Sequence, residues 1–155
     1  MKKVWILNHY ALVPSDAGGT RHYSLARHLL SQGWQATVIA SSVNFTSGHQ
    51  RLTSKESHRI EKIDNVQFLW IKVPQYQGNG VGRMRNMLTY ACRVLWPSTI
   101  AELDKPDVII GSSVHPFAAW SAAILARRFK VPFIFEIEPG ISFRDLNKKL
   151  KLSKR

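Results

Sequence analysis

Cysteine is the residue that the sequence has least of, since Cys92 is the only one among 155 residues. A single cysteine cannot form a disulfide within the chain, which excludes the small disulfide-stapled folds of secreted proteins. Long apolar runs are missing too. None approaches the roughly 20 residues of a spanning helix, and the run after Met1 is shorter than the roughly 7–15 residues of a signal peptide's apolar region. We therefore expect a cytoplasmic protein.

The two best-known phosphate-binding fingerprints are absent as well, because the chain has neither G-x-G-x-x-G nor G-x-x-x-x-G-K-[ST]. Its six histidines and one cysteine are scattered without the spacing of metal ligands. No pair of carboxylates is placed as glycoside hydrolysis requires. We expect no metal and no cofactor. Signatures of helix-turn-helix, RRM and zinc domains are also missing, so we expect no nucleic-acid partner.

Acidic residues are scarce, and this gives the chain a strong positive charge. It has 22 Lys and Arg against 10 Asp and Glu, a formal net charge of +12. Residues 144–155 hold six of the cations and one acid. Such a balance favours anionic partners such as phosphosugars or an anionic membrane surface. A merely solubilising surface is the alternative interpretation.

What the sequence does contain begins with two short apolar runs, residues 4–7 and 36–40, of the kind that form buried parallel strands. Between them, apolar residues recur at helical spacing, and Gly33 ends the predicted helix. Gly18 and Gly19 fall where the intervening loop enters that helix. Glycines at a helix N-terminus let the backbone approach an anion, which indicates a diphosphate or phosphosugar site. A plain tight turn is the alternative.

The rest of the chain continues the alternation of strands and helices. The patterns predict strands at 3–8, 35–40, 58–63, 66–73, 107–111 and 131–137, and helices at 20–32, 83–103 and 116–129. This order is typical of an α/β fold, a Rossmann-like doubly wound parallel sheet in a single domain. The strand at 3–8 then lies beside the strand at 107–111. We expect the loops of Gly19 and His115 to face each other across a crevice there.

The predicted helix at 83–103 has an apolar face composed of Met84, Met87, Leu88, Ala91, Val94 and Leu95, and Pro97 must kink or split it. Its cations and aromatics, Arg83, Arg85, Arg93, Tyr90 and Trp96, are typical of a helix that lies on a membrane surface. An ordinary amphipathic helix with a solvated basic face explains the pattern equally well.

Two segments carry a resemblance to a known family. ILNHYALVPSDAGGTRHYSLARHLLSQGWQATVIAS at 6–41 and DVIIGSSVHPFAAWSAAILARRFKVPFIFEI at 107–137 resemble the N-terminal domain of retaining GT-B glycosyltransferases of the family-4 type. Among these, the amino-sugar transferases of O-antigen and capsule synthesis look most similar. The resemblance implies an acceptor-binding domain at 1–137. A second domain, which binds the nucleotide-sugar donor, would complete the cleft.

The resemblance also implies roles for single residues. Gly18 and Gly19 match the loop whose backbone approaches the donor phosphates, and His115 matches a histidine that contacts the transferred sugar. Arg21 and Tyr23 match positions near the acceptor, which is a glycan or lipid-linked precursor. His9, at the end of the first strand, is a further ligand contact or a loop residue without a role. A structural role for His115 is likewise an open alternative.

The sequence departs from the family in two ways. No E-x7-E motif of the donor domain is present, and residues 138–155 diverge into a basic tail that we expect to lie outside the fold. We therefore expect the acceptor-binding half of a truncated or split glycosyltransferase, inactive alone and peripheral on the inner face of the membrane. The alternative is a noncatalytic folded remnant.

Overall fold

The computed structural model describes residues 1–113 and 115–137. It has six strands, β1 (Lys2–Leu7), β2 (Trp34–Ser41), β3 (His58–Ile63), β4 (Val66–Ile71), β5 (Val108–Ser112) and β6 (Phe133–Glu136). Four helices connect them, α1 (Arg21–Ser31), α2 (Val81–Val94), α3 (Pro97–Ile100) and α4 (Pro116–Phe129). The predicted tail at 138–155 lies outside the described residues.

The strands form one sheet in the order β3-β4-β2-β1-β5-β6. Every pairing is parallel except the one between β3 and β4, which is antiparallel. Asp64 and Asn65 join these two strands with positive φ angles of 47° and 67°, as a tight hairpin turn requires. The Rossmann-like α/β fold is confirmed, and β1 pairs with β5 as predicted for the strands at 3–8 and 107–111.

Helices cover both faces of the sheet because the central strands are apolar on both sides. On one face, Tyr23 and Ala26 of α1 pack against side chains such as Ile6 and Val38. On the other, α2 and α4 pack over Trp5 and Ile39. The four central strands are parallel, so they all end at one edge of the sheet, the carboxyl edge. The helices lie on the two faces and leave this edge to the loops.

The helix predicted at 83–103 is two helices. The first, α2, starts earlier than predicted, and Pro97 opens α3 at its first position. The predicted apolar face was partly wrong, because Met84 and Leu88 are exposed. Tyr90 does not face a membrane surface. It is fully buried, and its hydroxyl donates to the Ile39 carbonyl at 2.6 Å.

The edge of the sheet formed by β6 is only partly covered. The strand β6 is shorter than expected and bears partly exposed side chains, including Ile134 and Phe135. Trp120 is also exposed, although α4 is a largely apolar helix. Among the described residues, no helix has the length and apolarity needed to cross a membrane.

Candidate functional site

An open cleft of about 770 Å³ lies at the carboxyl edge of the sheet. The loops that follow β1, β2 and β4 supply its walls, and the N-terminal ends of α1 and α2 close two of its sides. Its described lining is Asn8, Tyr10, Gly19, Arg21, His22, Val43, Asn44, Phe45, Thr46, Ser47, Gly48, Tyr76, Gly78, Asn79 and Arg83. None of these is acidic and two are arginines. The cleft therefore favours an anionic ligand.

The two neighbouring glycines have different parts in this cleft. Gly18 has a φ of +133°, and a Cβ there would lie 2.6 Å from Cδ1 of Leu12, so only glycine fits. Gly19 lines the cleft, and a Cβ on it would meet no atom within 4 Å. The first glycine therefore shapes the loop, while the second leaves room beside the backbone for a ligand.

The first turn of α1 adds polar groups to the cleft. Thr20 precedes the helix without a side-chain cap, and the turn contains no acidic residue. The N-terminus of α1 is therefore open to the cleft at the place where helices bind anions. Arg21 and His22 follow directly and line the same wall.

Arg21 is paired with a residue that the sequence had not singled out. Its Nη2 lies 2.5 Å from Oε1 of Glu136, at the end of β6. His22 Nε2 and Ser112 Oγ lie 3.0 Å and 2.5 Å from the other oxygen, Oε2. Burial opposes ionisation of Glu136, but the Ser112 hydroxyl, His22 and Arg21 together hold its pKa below the ordinary value. The cluster ties α1 to the carboxyl ends of β5 and β6.

Arg83, in the first turn of α2, is the second cleft arginine. Its Nε donates to the Tyr10 hydroxyl at 3.2 Å and its Nη1 to Asn79 Oδ1 at 2.8 Å. Both acceptors are neutral. Within residues 1–113 and 115–137, no carboxylate forms an ion pair with it. Its charge therefore remains available to a ligand.

His9 and His115 form a buried pair beside the cleft. His9 Nδ1 lies 2.6 Å from His115 Nε2, and the His9 ring stacks on both Tyr10 and Tyr90 at 4.7 Å. Burial, with the neighbouring His115, lowers the pKa of His9 to about 3. Burial and the charge of Arg83 lower that of His115 to about 4. Both rings are therefore neutral at pH 7, with one donating to the other.

The crevice prediction expected the loops of Gly19 and His115 to face each other, but the histidine pair is buried and does not line the cleft. His9 and His115 are 2% and 5% exposed, and neither is among the residues that line the cleft. Tyr10 lines the cleft and contacts both rings, stacking on His9 and lying edge-on to His115. The buried Nδ1 of His115 has no hydrogen-bond partner among the described residues.

Tyr23, predicted near an acceptor, lies elsewhere. Its hydroxyl donates to Oδ2 of Asp64 at 2.7 Å, in the turn between β3 and β4. This turn leads into the amino end of β4, and the cleft lies at the carboxyl edge. The structure thus brings Gly19 and Arg21 to the cleft, places Gly18 behind it, and leaves Tyr23 outside it.

Asn8 of the cleft and Ser112 and Glu136 of the cluster around Arg21 share a sequence signal. Asn8 follows β1, Ser112 ends β5 and Glu136 ends β6, so all three mark carboxyl ends of parallel strands. Arg83 has no such signal, because its place depends on where α2 begins. No three His, Cys, Asp or Glu side chains come together as metal ligands in the part of the chain that the structure describes.

One comparison with known proteins gives a match. A family model described as a glycosyl transferase 4-like domain matches residues 17–152, which include the glycine loop, α1 and the strands β2 to β6. No curated protein matches the chain significantly.

Proposed function

Because the chain belongs to the family of glycosyl transferase 4-like domains, we propose that its cleft binds the phosphorylated part of the substrates in a sugar transfer. Membership of this family supports glycosyltransferase activity. The proposal adds that this domain holds the acceptor, a lipid-linked polysaccharide precursor, while a second domain holds the base and ribose of the nucleotide-sugar donor. A retaining GT-B mechanism is part of the same proposal.

The observation that carries the proposal is the state of Arg83. A guanidinium held in place by the neutral Tyr10 hydroxyl and the Asn79 amide is pre-organised, and its charge has no counter-ion there. Arginine forms paired, charge-assisted hydrogen bonds with phosphate oxygens. The negative charge of a diphosphate in the cleft would balance the positive charge of Arg83.

The part of the cleft formed by the glycine loop and α1 supports the same ligand. Gly19 leaves open space beside its backbone, and the uncapped first turn of α1 presents N–H groups and a partial positive charge. Arg21 is neutralised by Glu136, so Arg83 carries most of the free charge. Arg83 and the first turn of α1 can therefore both contact a phosphate group in the cleft.

These groups suit sugar transfer for a physical reason. When the bond between the anomeric carbon and the donor's phosphate oxygen breaks, its electron pair stays on the leaving diphosphate. The oxygen of the acceptor hydroxyl forms the new bond to that carbon, and its proton passes to an oxygen of the leaving diphosphate. Fixed donors that face the growing negative charge lower the barrier, and a positioned acceptor avoids an entropic cost.

The test is a titration of the purified chain with farnesyl diphosphate, a water-soluble short-chain prenyl diphosphate. Replacing Arg83 by Gln should weaken binding by about 10- to 100-fold, because a hydrogen bond to a charged group contributes about 1.5–3 kcal/mol. Arg85→Gln is the matched control. It removes the same charge two residues away, on the exposed side of α2.

Equal affinities for the wild type and Arg83→Gln would refute the phosphate site. A UDP-sugar should bind the chain weakly or not at all. Micromolar binding of a UDP-sugar would show that the chain holds the whole donor site by itself.

A second experiment tests the transfer reaction. Adding the second domain of a similar enzyme should restore transfer to a lipid-linked acceptor. If no such domain restores transfer although farnesyl diphosphate binds, the noncatalytic alternative stands.

A further inference from the structure

We propose that the outer face of α2 docks the protein on the surface of an anionic bilayer. Four residues form what we call the outer stripe of α2, Val81, Met84, Leu88 and Cys92. They are spaced by three or four positions and therefore lie on one side of the helix. The buried residues of α2, such as Tyr90 and Val94, lie on its other side.

The outer stripe is open in the structure. Val81 is 86% exposed, Met84 46% and Leu88 43%, and Cys92 is exposed as well. The four line a shallow apolar groove with Arg85, Thr89 and Arg93. Trp96, just after the helix, is 67% exposed. An apolar strip of this kind on the surface of a domain marks an interaction surface.

The charges around the stripe select its partner. No Asp or Glu occurs between Asp64 and Glu102, whereas Arg85 and Arg93 are both exposed beside the stripe. Two copies of the stripe would bring like charges together, which disfavours a symmetric dimer. Anionic headgroups attract the arginines, and the acyl boundary beneath them accepts the apolar side chains.

The docking surface and the cleft belong to the same helix. Arg83, in the first turn of α2, lines the cleft, and Arg85 lies on the exposed side of the same helix. A helix with its side chains is about 10 Å across, so a docked α2 would hold the cleft about that far from the headgroups. The inference thus deepens the proposed function by placing the cleft within reach of a lipid-linked acceptor.

Flotation of the full chain with lipid vesicles tests the inference without any sugar substrate. Vesicles of phosphatidylglycerol and phosphatidylcholine in equal parts should carry the protein, vesicles of phosphatidylcholine should not, and salt should weaken binding. Arg85→Gln should lower the partition coefficient about fivefold, since each basic residue near the surface contributes about 1 kcal/mol. Leu88→Glu should lower it about tenfold or more, because a charge replaces apolar surface.

Two control variants separate this surface from general charge. Arg27→Gln removes an exposed cation from α1, on the opposite face of the sheet, and should leave binding unchanged. Arg83→Gln should also leave vesicle binding unchanged, while it weakens the binding of farnesyl diphosphate. Because Arg85 and Leu88 are exposed, circular dichroism should show that the test variants Arg85→Gln and Leu88→Glu are folded.

Several results would overturn the inference. These are equal binding to both kinds of vesicle, no binding to either, and full binding by Leu88→Glu. Loss of binding only after removal of residues 148–155 would assign it to the basic tail. A concentration-dependent dimer that Leu88→Glu dissociates would assign the stripe to a second copy of the chain. Failure of vesicle binding leaves the diphosphate titration unaffected, so the two proposals can fail separately.

Discussion

Lowering the pH from 7 to 5 should destabilise the protein through the buried pair of His9 and His115. Burial holds the pKa of His9 at about 3 and that of His115 at about 4, well below the value of 6.5 for a free imidazole. Because the folded state favours the neutral rings, the two histidines do not lower the free energy of unfolding above pH 6.5, where the full stability is present. It is lost as the pH falls toward the folded pKa values, since only the unfolded chain takes up protons there.

The size of this loss follows from the shifts. A histidine that stays neutral in the fold costs about 1.4 kcal/mol for each pH unit below 6.5. His9 should therefore cost about 2 kcal/mol at pH 5, and the pair about 2–4 kcal/mol, the lower value applying if solvent screens His115. Glu56 and Glu136 have pKa values below their ordinary range, so in the fold they remain ionised across this window.

Urea unfolding followed by tryptophan fluorescence at pH 7 and pH 5 measures the effect. We expect the midpoint to fall at pH 5 with an unchanged slope, because the surface exposed on unfolding is the same. In His115→Gln, one of the two imidazoles is gone, and the loss between the two pH values should shrink to about half. Equal midpoints for the wild type at both pH values would refute the reasoning, as would an NMR titration of His9 near pH 6.5.

Three further predictions concern the glycine loop and His115. Gly19→Val should fold normally, because its Cβ meets no atom within 4 Å, yet it should cut transfer in the enzyme completed by a second domain. Gly18→Val should instead lower the free energy of unfolding by about 1–3 kcal/mol, through its φ of +133° and the contact with Leu12. An unfolded Gly19→Val or an unchanged transfer rate would contradict this division. His115→Ala should lower turnover more than acceptor binding if the ring contacts the transferred sugar. Equal turnover would make the histidine structural.

Much of the fold could be predicted from the sequence, because buried parallel strands are continuous apolar runs and their order follows from the alternation with helices. The hairpin turn at Asp64 and Asn65 was also readable from its residue types. The exposed side of α2 could not be predicted in the same way. Tyr90 and Leu88 are two residues apart, and only the packing of the helix against the sheet decides which of them is buried.

The candidate site was predicted less completely than the fold. A glycine loop at a helix N-terminus is a local pattern, so Gly19 could be found from the sequence. The pairing of Arg21 with Glu136 joins residues 115 positions apart, and that of His9 with His115 joins residues 106 apart. Such contacts depend on the sheet order and on loop conformation together. Topology alone brings the right loops to one edge without deciding which side chains meet there.

The position of α2 explains why one helix can serve both proposals. The early start of α2 places Arg83 in its first turn, where Tyr10 and Asn79 hold it in the cleft. The packing of α2 against the sheet leaves Met84 and Leu88 outside and buries Tyr90, whose hydroxyl donates to the Ile39 carbonyl of β2. A bilayer that holds the outer stripe would therefore also fix the helix that presents Arg83. Because the buried anchor Tyr90 separates the two faces, charge removed at Arg85 should weaken docking without moving Arg83, and charge removed at Arg83 should leave docking intact.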